Sequence, residues 1–358
     1  GALLKAESLA GGVAAEIWER VEEAGLSALV SLSMCKDTRC AMFQGPRVGE
    51  ALLRVTYSSP PGSGRLLAAV NVWRNLSDTG GCDNRVPMFR LGLPEALVAA
   101  IRAEPDREGE VVNASLNALT NLASHNANRV PLLRQGLGVA EALLGVIRSA
   151  EPGSRSLRAA LVTLTNLSCH KDNRVPMMRL GLADLLVTLT LTAGPDTKHL
   201  EAVLIMLVNL SAMADCRVPM VHCGAAEAAV AVIRAAPPGC KNLEIALKTV
   251  QNLSAHDETG RDLLEKGGLE VALACARHSD SRVSAVAAGT LSNLALYGRR
   301  SGVRALMLER GVADAIRALI DQPERTGLSA AKAAAFIFGD EGEDDAPASP
   351  APASPAHD

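Results

Sequence analysis

Six asparagines, Asn75, Asn121, Asn166, Asn209, Asn252 and Asn293, share one apolar pattern around them. The residues five and two before each, and one after, are apolar every time: Val70, Trp73 and Leu76 in the first, Leu116, Leu119 and Leu122 in the second, and so on to Ala288, Leu291 and Leu294. A spacing of three residues puts them on one face of a helix, so each segment predicts an amphipathic helix that ends near its Asn-Leu pair. Trp73 sits within that stripe and reads as core. The steps between the asparagines are 46, 45, 43, 43 and 41 residues.

A second marker keeps the same beat. Arg85, Arg129, Arg174, Arg217, Arg261 and Arg304 each precede a glycine by seven residues, at Gly92, Gly136, Gly181, Gly224, Gly268 and Gly311. In DNRVPMFRLGL, Asn84 is placed to cap a short first helix. Pro87 falls in its first turn, where a missing N–H leaves no bond unmade, and Gly92 supplies the left-handed residue that ends it. A second helix, PEALVAAIRA, follows, then a Pro/Gly/charged loop, then the third helix with its Asn. A repeat in the low-to-mid forties with only helical patterns belongs to the stacked-helix arrays.

The predicted fold is therefore all-α, a right-handed α-solenoid with about six inner three-helix repeats over roughly residues 60 to 305. The markers fade at both ends, where Ser31 and Ile337 take the Asn place and Arg39 the Arg place. These read as degenerate terminal repeats, each lacking one neighbour. The array is expected to run from 1 to 338. The tail from 339 to 358 is acidic and rich in Pro, Ala and Ser, a composition that predicts disorder and a spacer, with Ser349-Pro350 and Ser354-Pro355 as candidate phosphorylation sites.

NRVPMFRLGLPEALVAAI resembles the first and second helices of the armadillo repeat family, and ASLNALTNLASH its third. The resemblance covers the chain to about Phe338. It implies a non-enzymatic scaffold or adaptor that binds an extended peptide segment of a partner protein. In the importin-alpha and beta-catenin types, the third-helix Asn clamps the peptide backbone in a concave groove. By position that role falls to Asn75, Asn121, Asn166, Asn209, Asn252 and Asn293, each carboxamide being both donor and acceptor. The competing reading is that each Asn bonds a carbonyl of the neighbouring repeat.

One turn before the Asn, importin-alpha carries Trp. Here that row is Asn71, Asn117, Val162, Ile205, Lys248 and Gly289. The missing Trp ladder argues against a nuclear-transport cargo adaptor, and the row suggests a ligand preference running from polar at Asn71 and Asn117 through apolar to acidic-tolerant at Lys248. A structural subunit of a larger cytoskeletal or ciliary assembly, using the convex face, is the other alternative.

Composition narrows the field further. Net charge is −3, but the tail from Asp340 holds six acidic residues and no Lys or Arg, so the body is nearly neutral. With 2% aromatic residues it offers neither a phosphate-neutralising field nor stacking platforms, which argues against nucleic acid. No apolar run reaches the roughly 18–20 residues of a membrane span, and GALLKAESLAGG does not resemble a signal peptide. The start at Gly1 reads as a fragment or a trimmed product.

The eight cysteines are scattered without a CxxC, which reads as reduced thiols in an intracellular protein, cytoplasmic or nuclear. His125, His170 and His256 follow their Asn by four residues. Equivalent positions on stacked helices lie about 10 Å apart, too far for one metal, so they are expected to favour helix C-terminal dipoles. Each marker Arg sits at a helix N-terminus against the dipole and is expected to reach back to the last carbonyls of the preceding third helix. No catalytic constellation, cofactor motif or small-molecule site is recognisable, Gly136 and Gly138 forming an inter-helix turn with no strand before it.

Overall fold

The computed structural model describes residues 21–320 except 22, 80–82, 135, 195, 196, 198, 238 and 299–306. Arg304, Ile337 and the tail lie outside the described residues, as does the expected boundary at 338. Among the described residues the regular structure is helical: α1 (Glu23–Met34), α2 (Arg39–Gln44), α3 (Val48–Ser58), α4 (Gly64–Leu76), α5 (Arg85–Arg90), α6 (Leu93–Ala103), α7 (Glu110–Ser124), α8 (Asn126–Leu132), α9 (Val139–Ser149) and α10 (Arg155–Ser168). There follow α11 (Lys171–Arg179), α12 (Leu182–Thr192), α13 (Leu200–Ser211), α14 (Ala214–His222), α15 (Ala225–Ala235), α16 (Lys241–Leu253), α17 (Asp257–Glu265), α18 (Gly268–Ala276), α19 (Ser281–Gly298) and α20 (Val312–Ile320).

From α2 to α19 these are triads of short, medium and long helix, an all-α solenoid of the predicted kind. Two compact units, 1–249 and 250–358, divide the chain, the boundary falling inside α16. In the first unit like packs on like. Third helices stack as α4 on α7, α7 on α10 and α10 on α13, first helices as α5 on α8, α8 on α11 and α11 on α14, and second helices as α3 on α6 and α6 on α9. In the second unit α19 packs against α17, α18 and α20.

The predicted stripe is the core. All three stripe positions of every third helix from α4 to α19 are exposed by 2% or less, whereas the stripe residue Leu32 on α1 is 50% exposed. Leu26, at the first stripe position of the same helix, is 6% exposed. The sharp bend between first and second helix uses a left-handed glycine, as at Gly92, Gly181 and Gly224. In the sixth triad the left-handed residue is Gly267, and the expected Gly268 is the first residue of α18.

Two further expectations are corrected. Asn84 makes no side-chain cap on α5; its amide donates instead to Leu76 O at 3.2 Å and Arg39 O at 3.5 Å. And Cys40 is disulfide-bonded, so the reduced-thiol reading fails there. Among the described residues six other cysteines are free, and burial pushes the Cys275 thiol up to about 11, which makes it a poor nucleophile.

Candidate functional site

The third helices α4, α7 and α10 turn one face away from the core and leave a groove of about 940 Å³. Its lining follows the helical period. One turn before each Asn stand Asn71, Asn117 and Val162; two turns before stand Leu67, Asn113 and Arg158. Arg74, Glu108, Glu110 and Arg155 complete the charged part. A second groove, of about 690 Å³, lies between α1 and α4 and shares Leu67 and Asn71 with the first. The two therefore abut.

Asn71 and Asn117 are thus brought together as the sequence suggested. Asn117 is exposed, its amide donating to Asn113 O of its own helix at 2.8 Å. Lys248 stands apart from this groove and pairs with Glu244 one turn earlier at 2.7 Å. At the last place in that row, Gly289, the space a side chain would take is filled by Gln251.

The ladder asparagines are half-buried and are not part of the groove's lining. Their amides point along the stack. Asn75 donates to Ser33 Oγ at 3.0 Å, Asn121 to Ser77 Oγ at 3.1 Å and Arg74 O at 3.2 Å, and Asn209 to Ser168 Oγ at 2.9 Å. In the second unit Asn293 donates to Ser254 Oγ and Gln251 O, both at 3.1 Å. The accepting serine is the residue after the Asn-Leu pair of the preceding repeat. Where that residue is Ala123, Asn166 turns to Thr120 O at 3.3 Å. A carbonyl accepts only, so for Asn121, Asn166 and Asn293 the amide nitrogen faces the stack, and the Asn75 oxygen accepts from Arg74 Nη2 at 3.4 Å.

A second asparagine row binds the spine. Asn128 donates to Leu122 O and Arg85 O, both at 3.1 Å, and Asn173 to Leu167 O and Arg129 O, both at 2.9 Å. Each closes its own third helix and ties the previous first helix to it. The sequence signal was present, as Asn directly before the marker Arg, but reads locally as a cap.

The marker arginines behave as expected in four repeats. Arg39, Arg129, Arg174 and Arg217 donate from Nε to the carbonyls of Ser33, Ala123, Ser168 and Ser211 at 2.8–3.2 Å. Arg85 and Arg261 depart from this: Arg261 is exposed and makes no such bond, and Arg85 grips Asp83 with two nitrogens and reaches Ser124 Oγ at 2.6 Å. That grip holds the Asp83 carboxyl below its ordinary range. Arg174→Ala is expected to lower the melting temperature, at a cost of about 1–3 kcal/mol for one charge-assisted bond, and to leave partner binding unchanged. Thermal denaturation beside a binding titration reads both.

The histidines correct the dipole reading. His125 and His170 are N-caps, Nδ1 accepting from the amides of Ala127 at 3.2 Å and Asp172 at 3.3 Å. His256 makes no side-chain cap on α17.

No protein-family model matches the chain, and no curated protein matches its sequence. Solved structures do. A chain from a structure of the cadherin and beta-catenin interaction, controlled by a phosphorylation switch, aligns with TM-score 0.69 and 20% identity over 88% of this chain and 58% of that one. The present chain thus matches little more than half of that protein. A designed armadillo repeat protein in complex with the peptide (KR)4 aligns with TM-score 0.59 and 17% identity, over 68% of this chain and 98% of that one. An engineered protein gives TM-score 0.60 and 19% identity over 70% and 97%. The fold is armadillo-like.

Proposed function

We propose that the chain is a non-enzymatic scaffold that holds an extended segment of a partner protein along the third helices of residues 1–249. The observation that supports this most is the groove itself. The stripe two and one turns before the Asn is left uncovered over three consecutive repeats, while the stripe beside it is sealed. Uncommitted amide oxygens and charged groups line it at the helix spacing, a surface that reads an extended backbone. One of the similar structures concerns the interaction between cadherin and beta-catenin and another holds a bound peptide, which accords with this reading. An intracellular location goes with it, and the Cys40 bond is the feature that stands against it.

The structural-subunit alternative has one observation of its own. Leu191 is 57% exposed beside an apolar depression of about 160 Å³ between α12 and α15. The two readings separate in a pull-down with mass spectrometry from source cells. Asn71→Arg with Asn117→Arg fills the groove without touching the stack. Partners lost by that variant, and kept by Leu191→Asp, support the groove; the opposite pattern supports the other face.

A further inference from the structure

The two abutting grooves differ in chemistry along their length. At the α1–α4 end the walls are Leu26, Val30, Leu67 and Ala68. At the α10 end stand Arg155 and Arg158, three residues apart and so neighbours on one helix face. Both are exposed, and neither side chain makes an ion pair or hydrogen bond. The acids that share the groove do not reach them: Glu108 accepts from Ser156 Oγ, and Glu110 sits in the first turn of its own helix, where the dipole favours it. Between the two ends lies Asn113. Its amide nitrogen is committed to Glu108 O at 2.8 Å and Gly109 O at 3.1 Å, and its oxygen is buried with no partner. A buried acceptor without a donor is costly, and an extended segment brings a backbone N–H to every second residue of its inner face.

We infer that this groove selects segments carrying an apolar residue and, six to eight residues away, a pair of acidic residues. The apolar residue seats between Leu26, Val30 and Leu67, and the carboxylates meet Arg155 and Arg158. The inference rests on the peptide-scaffold reading above and adds its ligand class. The spacing comes from geometry. Packed helices stand about 8–10 Å apart, and an extended chain advances about 3.3 Å per residue, so each helix step takes about three residues. From the α1–α4 cleft to α10 is between two and three steps. Two guanidinium groups with no internal partner favour carboxylates, which they take in two-point contact, and groove glutamates disfavour the diffuse charge of a nucleic-acid backbone.

The test is selection of a phage-displayed library of random 12-residue peptides on the full chain, followed by fluorescence anisotropy on synthetic copies of the winners. Enriched sequences should pair an apolar residue with two acidic ones at the stated spacing. Arg155→Glu with Arg158→Glu should weaken them about tenfold or more, with the melting temperature unchanged because both side chains are exposed. Copies with Lys in place of the acids should regain affinity for that variant. Winners without acidic bias, or an affinity change under about twofold, overturn the inference and leave the groove reading standing. A selection that enriches nothing, or winners indifferent to Asn71→Arg with Asn117→Arg, removes both.

Discussion

Trp73→Ala is expected to cost about 3–5 kcal/mol of unfolding free energy, the largest effect of any single change in the first repeats. The indole is 0% exposed, and its Nε1 donates to the buried Thr56 Oγ1 at 3.1 Å. It holds α3 to α4 by packing and by that bond together. Truncation leaves a cavity that cannot close, because neighbouring stripe positions are already filled by Val70 and Leu76, both 0% exposed. Urea denaturation followed by circular dichroism measures the loss. Trp73→Phe keeps most of the volume and gives up the hydrogen bond, so it should cost about 1–2 kcal/mol. Equal losses for the two variants would show that packing is not the main term.

Asn173→Ala ranks second, at about 2–4 kcal/mol. The side chain is 2% exposed, and its amide serves two carbonyls, Leu167 O and Arg129 O. Removing it strands both acceptors in the stack, where water does not easily replace the donor. The ladder residue Asn166 is the control: half-buried, with one bond to Thr120 O, it should cost about 1 kcal/mol or less when changed to Ala. Chemical denaturation of the two variants side by side checks the order. A larger loss at Asn166 would make the ladder, and not the spine, the main joint between repeats.

The two asparagine rows show what a local pattern can and cannot tell. Both stand out as recurrent asparagines at helix ends, and both suggest a local or ligand-facing role. Each amide also bonds across to the preceding repeat, the competing reading for the ladder: Asn128 bonds Arg85 O and Asn121 bonds Ser77 Oγ, each more than forty residues away. A serine follows the Asn-Leu pair in four of the six repeats, yet only stacking makes it the partner of the next Asn. Likewise His125 and His170 follow a third helix and precede a first helix, and periodicity does not say which end an imidazole serves. Arg155 and Arg158 were legible in principle, because Arg158 lies on the same helix face as Val162, a turn nearer the N-terminus.

What the order of residues settled about this protein is its periodic part. Apolar spacing selects the helix and its buried side, and glycine supplies the left-handed bend between first and second helices, because both depend on residues a few positions apart. What tertiary structure alone decided is how polar groups are spent. Leu32 and Leu76 hold the same place in the pattern, but one is 50% exposed and the other 0%. In the same way an asparagine amide becomes a joint, or an arginine stays open for a ligand, according to which acceptors the adjacent repeat brings within about 3 Å. That proximity is made by stacking, and no single repeat contains it.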